Sequence, residues 1–271
     1  MRILFLGDIV GHPGKQMVET WMPKLFDHYE PDLVIANAEN IAPNGRGITP
    51  RLAEALFDVQ VDILTMGNHV WDQKDSVSYI DGDRRIVRPA NYPVGTPGQP
   101  YTLCKVGKEQ VAIINVLGRA FMGDYDDPFR TMDRILEEIG TQTKHIFVDV
   151  HAEATSEKYA LGNYLAGRVS AVVGTHTHVQ TADDRILPGG TAYLTDVGMC
   201  GPYDSIIGFQ KDLVLQRFLT QMPTRFEVAQ GAGQLHGVVI DLNDGGRATK
   251  IERISITPDR PFENSTPLFT L

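Results

Sequence analysis

Short apolar runs recur through the first two thirds of the chain, at residues 3–6, 33–36, 63–66, 111–116, 146–150 and 171–173. Each is rich in Ile, Val and Leu and too short for a stable helix, which predicts buried strands. Between them the apolar spacing changes to the helical period. Thr49-Pro50 precedes Ala53, Leu56 and Phe57, and Asp127-Pro128 precedes Met132, Ile135, Leu136 and Ile139; a capping residue followed by Pro is a helix-start signal. A β-α-β alternation results. After about Gly190 the pattern becomes strand-like at 191–195, 226–229, 237–242 and 251–256, with Asn243-Asp244-Gly245-Gly246 as a turn, predicting an antiparallel C-terminal part. No repeat or low-complexity segment interrupts the pattern, and the Pro/Gly-rich stretch 93–100 is too short to divide it. The expectation is one layered domain over residues 1–271.

Composition narrows the function classes. A chain of 271 residues with 42% hydrophobic and 22% charged residues has the balance of a folded globular protein. Its net charge of −9 has the wrong sign for a broad nucleic-acid surface, although a bound metal can attract a small phosphorylated ligand locally. Cys104 and Cys200 are far apart and form no Cys-x-x-Cys pair, which points away from a disulfide scaffold or zinc ribbon and toward a reducing cytoplasm. The apolar opening is cut by Asp8 and by Gly11-His12-Pro13-Gly14, so it reads as a first strand rather than a leader. No apolar run approaches membrane-spanning length, and the chain is expected neither to cross nor to be anchored in a bilayer.

The chemistry lies at the ends of the strands. The runs end in Gly7-Asp8, Asn37-Ala38-Glu39-Asn40, Gly67-Asn68-His69, Asp149-Val150-His151 and Gly174-Thr175-His176-Thr177-His178. In α/β sheets ligands bind at the carboxyl ends of strands, so these five loops converge. Each has an ordinary alternative: Asp8 and Asn68 as helix caps, residues 37–40 as an Asx turn. His176 and His178, two apart and so on one face of a strand, form the stronger signal. Together the loops supply carboxylates, amides and imidazoles suited to two hard-to-borderline metal ions. His12, His28, His145 and His236 lack such company and read as surface or capping residues. The absence of Gly-x-Ser-x-Gly disfavours a serine hydrolase.

This motif series resembles that of the calcineurin-type metallophosphoesterases over about residues 1–200. Residues 7–11, Ala38-Glu39-Asn40 and Gly67-Asn68-His69-Val70-Trp71 are similar, more narrowly, to the YmdB-like branch of 2′,3′-cyclic-nucleotide 2′-phosphodiesterases, over essentially the whole chain. The superfamily's usual Asp-x-His is Asp8-Ile9-Val10 here, and its usual second-motif Asp is Glu39. The resemblance implies an α/β layered metallophosphoesterase fold of mixed sheets sandwiched between helices, with Asn40 replacing the missing imidazole.

It further implies two divalent or trivalent ions per chain, iron ahead of manganese or zinc. Asp8, Glu39, Asn40 and His178 would hold one; Glu39, Asn68, His151 and His176 would hold the other, with Glu39 bridging. His69, not a ligand in this scheme, would be the general acid for the leaving oxygen. Asp149, two before His151, either orients a ligand or caps a turn. The implied activity is hydrolysis of 2′,3′-cyclic nucleotides to 3′-nucleotides. A broad 3′,5′-cyclic-nucleotide phosphodiesterase or phosphomonoesterase, and a regulatory nucleotide- or RNA-associated binding protein, stand as alternatives. The expected partner is a small cyclic nucleotide, and self-association stays open.

Overall fold

The structure is a computed structural model describing residues 1–262. Two mixed sheets pack face to face. In the first, strands Arg2–Leu6, Leu33–Asn37, Ile63–Thr65 and Ile86–Val87 run parallel, and Gly233–Leu242 joins the other side of Arg2–Leu6 antiparallel. Ala248–Ile256, Met199–Pro202 and Asp8–Ile9 complete it. In the second, Glu109–Leu117, His145–His151, Ala171–Thr175 and Thr191–Leu194 are parallel, flanked by antiparallel Tyr101–Val106 and Arg185–Leu187.

Strand alternation explains the layers. Ile3 and Phe5 face Ile113, Phe147 and Val173 of the other sheet, with the Phe5 and Phe147 rings 5.1 Å apart. Leu4 and Leu6 point the opposite way, onto Val18, Met22 and Leu25 of helix Gly11–Tyr29. The second sheet likewise turns Ile114, Val148 and Val172 toward helices Pro128–Ile139 and Thr155–Leu165. Strands apolar on both faces are what a helix-sheet-sheet-helix sandwich requires. The six expected strands of the first two thirds all form, and so do the helices begun by Thr49-Pro50 and Asp127-Pro128. Asp127 Oδ1 accepts from the backbone N–H groups of Phe129 (2.8 Å) and Arg130 (3.3 Å).

The C-terminal expectation needs correction. The strand at Thr191–Leu194 lies parallel to Ala171–Thr175 and antiparallel only to Arg185–Leu187. Residues 226–229 form no strand; Val228 makes one bridge with Phe209. The hairpin Gly233–Leu242/Ala248–Ile256 is present, its turn closed by Asn243 Oδ1 accepting from Gly245 N and Arg247 N. Gly11-His12-Pro13-Gly14 opens a 19-residue helix instead of a loop. Gly14 is required there because a Cβ would lie 2.1 Å from the Cys200 carbonyl oxygen. Among the described residues no helix is long and apolar enough to cross a membrane.

Candidate metal centre

Face-to-face packing brings the carboxyl ends of both parallel strand sets to one edge, and the five expected loops meet there. The first sheet contributes Asp8, Glu39, Asn40 and Asn68; the second contributes His151, at the last position of its strand, and the turn carrying His176 and His178. Asp8, Glu39, Asn40 and His151 are buried.

At the centre His151 Nε2 lies 2.9 Å from Glu39 Oε1, 3.1 Å from Asn68 Oδ1 and 3.0 Å from His176 Nδ1. One ligand atom from each of Glu39, His151 and His176 falls within 4.8 Å of the others. Beside them Asp8 Oδ1 is 3.8 Å from both His151 Nδ1 and His178 Nε2. His178 Nδ1 donates to the Ile207 carbonyl at 2.8 Å, which turns Nε2 toward Asp8. Asn40 donates from Nδ2 to the Gly45 carbonyl (2.9 Å) and so keeps its oxygen for the interior.

A metal fits this arrangement. Asp8 Oδ1 and Asn40 Oδ1 are buried and without hydrogen-bond partners, a costly state for polar atoms unless a cation takes them up. Gly67 lines the cluster so closely that a Cβ would stand 2.3 Å from Glu39 Oε2 and 2.5 Å from His151 Nε2. Burial raises Asp8 above the usual carboxylate range. Burial acts the same way on Glu39, but the His151 ring overrides it and holds Glu39 down to about 2. Burial would lower His151, yet Glu39 and Asp8 push it up to about 9. His176 is driven down to about 3 by burial, then by the neighbouring His151, leaving its ring neutral.

The support around these groups is largely beyond what sequence spacing reveals. His151 Nδ1 contacts Thr175 Oγ1 (2.9 Å), which donates to Asp149 Oδ1 (2.7 Å). Asp149 Oδ2 accepts from Thr65 Oγ1 and Asn37 Nδ2, so Asp149 braces the His151 ring through Thr175 instead of capping a turn, and burial raises it to about 6. Thr177 N and Oγ1 both donate to Asp196 Oδ2, itself paired with Lys158 Nζ at 2.7 Å; both charged groups are buried. His176 Nε2 lies 3.2 Å from Glu153 Oε2 at the rim. None of Asp196, Lys158 and Glu153 carries a sequence signal, because each partner is far away along the chain.

Three expectations change. His176 and His178 are not placed by strand alternation: the strand ends at Thr175, and both adopt positive φ (97° and 64°) in a turn held by Asp196. Backbone strain of this kind persists where surrounding bonds over-determine it. His145 is buried and His236 half-buried, so neither is a surface or capping residue, and burial lowers both. Asn68 opens a turn, not a helix. His69 stands at the mouth with its backbone N–H donating to Glu39 Oε2 (2.8 Å) and Nδ1 2.9 Å from Asp72 Oδ2.

Comparison with known proteins agrees with this geometry. The chain is 52% identical over 263 residues to the 2′,3′-cyclic-nucleotide 2′-phosphodiesterase of Bacillus subtilis, covering 97% of this chain and 99% of that protein. A crystal structure described as a novel phosphatase from Mycoplasma pneumoniae superposes with a TM-score of 0.90 at 34% identity, over 95% of this chain and 93% of the other. A 5′-nucleotidase precursor from Thermus thermophilus, 12% identical with a TM-score of 0.57, covers 96% of this chain with 55% of its own length and shares the fold. Residues 4–254 match the family model described as YmdB-like protein. The chain belongs to the YmdB-like family.

Proposed function

We propose that this protein is a dinuclear metal-dependent phosphodiesterase that opens 2′,3′-cyclic nucleotides to 3′-nucleotides. The observation that supports the reading is the cluster of Glu39, His151 and His176 with Asn68 against it, beside Asp8 and His178, together with the buried, unpartnered oxygens of Asp8 and Asn40. In this reading Glu39 belongs to both ligand groups. The intact ligand set and the relatives' activity favour an enzyme over a binding protein with a lapsed site.

When bound, two cations, iron ahead of manganese or zinc, would supply the positive charge that acidifies water and neutralises phosphate oxygens. The chain's own residues do the rest. Hydrolysis forms a bond from a water oxygen to phosphorus and breaks the bond to O2′, and the proton that O2′ gains must come from a nearby acid. His69 stands at the mouth with one ring nitrogen held by Asp72 and the other directed away from it, which suits that transfer. Asp149, through Thr175, holds the His151 ring. Asp196 holds the turn bearing His176 and His178. The free cysteines, one buried and one half-buried, suit a cytoplasmic protein.

Metal analysis of protein purified without chelator, paired with turnover of 2′,3′-cyclic AMP, tests this reading. Two ions per chain with cyclic-nucleotide hydrolysis are expected. Activity undiminished after complete metal removal would overturn it.

A further inference from the structure

A cavity of about 890 Å³ is walled by two stretches of chain that also reach the metal centre. One wall is the segment after Asn40: Asn40 Nδ2 is bonded to the Gly45 carbonyl, and Asn44 Oδ1 accepts from Gln73 Nε2 at 3.2 Å, four residues beyond His69. Another part of the lining follows Ile207, whose carbonyl holds His178, and carries Phe209, Arg217, Arg225 and Phe226. Both stretches therefore start at the centre, one from Asn40 and the other from the residue bonded to His178.

The lining is chemically unlike the rest of this acidic chain. Arg46, Arg217 and Arg225 all border the cavity, and none of them forms an ion pair among the described residues. The one carboxylate in the lining, Glu227, accepts from Gln210 Nε2 at 3.3 Å. The rings of Phe209 and Phe226 stand 5.6 Å apart at 41°, giving the cavity an aromatic wall. Guanidiniums beside accessible rings recognise phosphates and flat bases together, the combination used for single-stranded nucleic acid. A cyclic mononucleotide has a single phosphate, and that one is engaged at the metal centre. The three arginines call for further phosphates on the same molecule.

We infer that the cavity binds the nucleotides preceding the cyclic phosphate, so that the preferred substrate is an oligoribonucleotide ending in a 2′,3′-cyclic phosphate. The inference rests on the cyclic-phosphate reading above. Such ends arise when the 2′-hydroxyl of RNA attacks its own 3′-phosphodiester and expels the next nucleotide. The class of reaction that supplies the substrate is therefore RNA cleavage by internal transesterification. The net charge of −9 excludes a broad basic surface, not a cluster of three arginines at one site.

The test compares wild type, Arg217→Ala/Arg225→Ala and Arg217→Lys/Arg225→Lys on 2′,3′-cyclic AMP and on a five-nucleotide oligoadenylate ending in a 2′,3′-cyclic phosphate. Fluorescence anisotropy of a labelled five-nucleotide strand ending in 3′-phosphate reads binding without turnover. Wild type should prefer the oligonucleotide by kcat/KM, and the alanine pair should lose about tenfold of that preference, with part restored by lysine. The salt dependence of strand binding should flatten by about 0.7 in log–log slope per phosphate contact removed. An oligonucleotide handled no better than cyclic AMP, or a preference and binding unmoved by the alanine pair, overturns the inference. Failure of the cyclic-phosphate reading looks different: neither substrate is opened. Strand binding then still decides the cavity, supporting it if arginine-dependent and overturning it if absent or arginine-independent.

Discussion

The imidazole of His69 is held by Asp72, its Nδ1 lying 2.9 Å from Asp72 Oδ2 within the same turn of chain. Both side chains are partly exposed at the mouth of the metal centre, while the His69 backbone N–H is bonded to Glu39. One residue thus touches the candidate bridging ligand through its main chain and leaves its ring partly exposed at the mouth.

This separates proton transfer from metal binding. His69→Ala should keep near-normal metal content yet lose roughly 10²-fold or more in kcat on a cyclic nucleotide, whose alkoxide leaves poorly. A nitrophenyl diester, with a good leaving group, should suffer far less. Asp72→Asn should show the same leaving-group pattern in weaker form, since it disturbs the ring's tautomer and aim. Equal losses on both substrates, or loss of metal, would rule out the acid role.

Glu39→Ala should disturb both ions, because Glu39 is common to both candidate ligand groups. Asn68→Ala and Asn40→Ala should each weaken mainly one. Elemental analysis of the three purified variants checks this; a Glu39→Ala protein that retains one tightly bound ion would contradict the bridge.

The position of bond breakage is a separate matter. Opening a 2′,3′-cyclic nucleotide at O2′ leaves a 3′-phosphate, and chromatography against 2′- and 3′-monophosphate standards should show that product. A predominant 2′-phosphate would reverse the regiochemistry and leave the metal chemistry intact.

Lys158 and Asp196 form an ion pair of 2.7 Å with each side chain about 1% exposed. Lys158→Met strands a buried carboxylate and should cost about 3–5 kcal/mol in urea unfolding. Adding Asp196→Asn should recover part of the stability but not the activity, because Thr177 loses its charged anchor. Full recovery of both would mean that the anchor is dispensable.

His236 is half-buried, its Nδ1 is sealed from solvent and unpartnered, and burial lowers the ring from 6.5 to about 4. The fold keeps this ring neutral while the unfolded chain protonates it. The stabilisation is therefore complete above pH 6.5 and is lost as pH falls toward 4, by about 3 kcal/mol in all. Denaturant titrations at pH 7 and 4.5 should show a smaller acid loss in His236→Asn than in wild type. Parallel losses would assign the acid sensitivity elsewhere.

The strands and most candidate ligands are legible in the sequence because each ligand sits within five residues of the end of a short apolar run, as Asp8 does after residues 3–6. Asn68 and His69 carry their own signal for the same reason. The supports are not legible. Asp196 acts on Thr177 across 19 residues and on Lys158 across 38, and nothing local distinguishes a carboxylate with such partners from a solvated one. The direction of residues 191–194 is hidden for a related reason: strand pairing depends on which edge is free when the strand arrives, not on its own composition. His176 and His178 combine a correct spacing signal with an incorrect geometry, since turn residues two apart converge only where outside bonds force them.

The candidate ligands are divided between the two sheets, Asp8, Glu39, Asn40 and Asn68 on one and His151, His176 and His178 on the other. Any separation of the layers would pull these groups apart, so cations bound between them would act as rivets through the sandwich. Their binding free energy then adds to the cohesion of the Phe5–Phe147 interface, at RT ln(1 + [M]/Kd) for each ion. Titrating metal into stripped protein should raise the melting temperature of the whole chain as one transition, making heat resistance a direct gauge of occupancy.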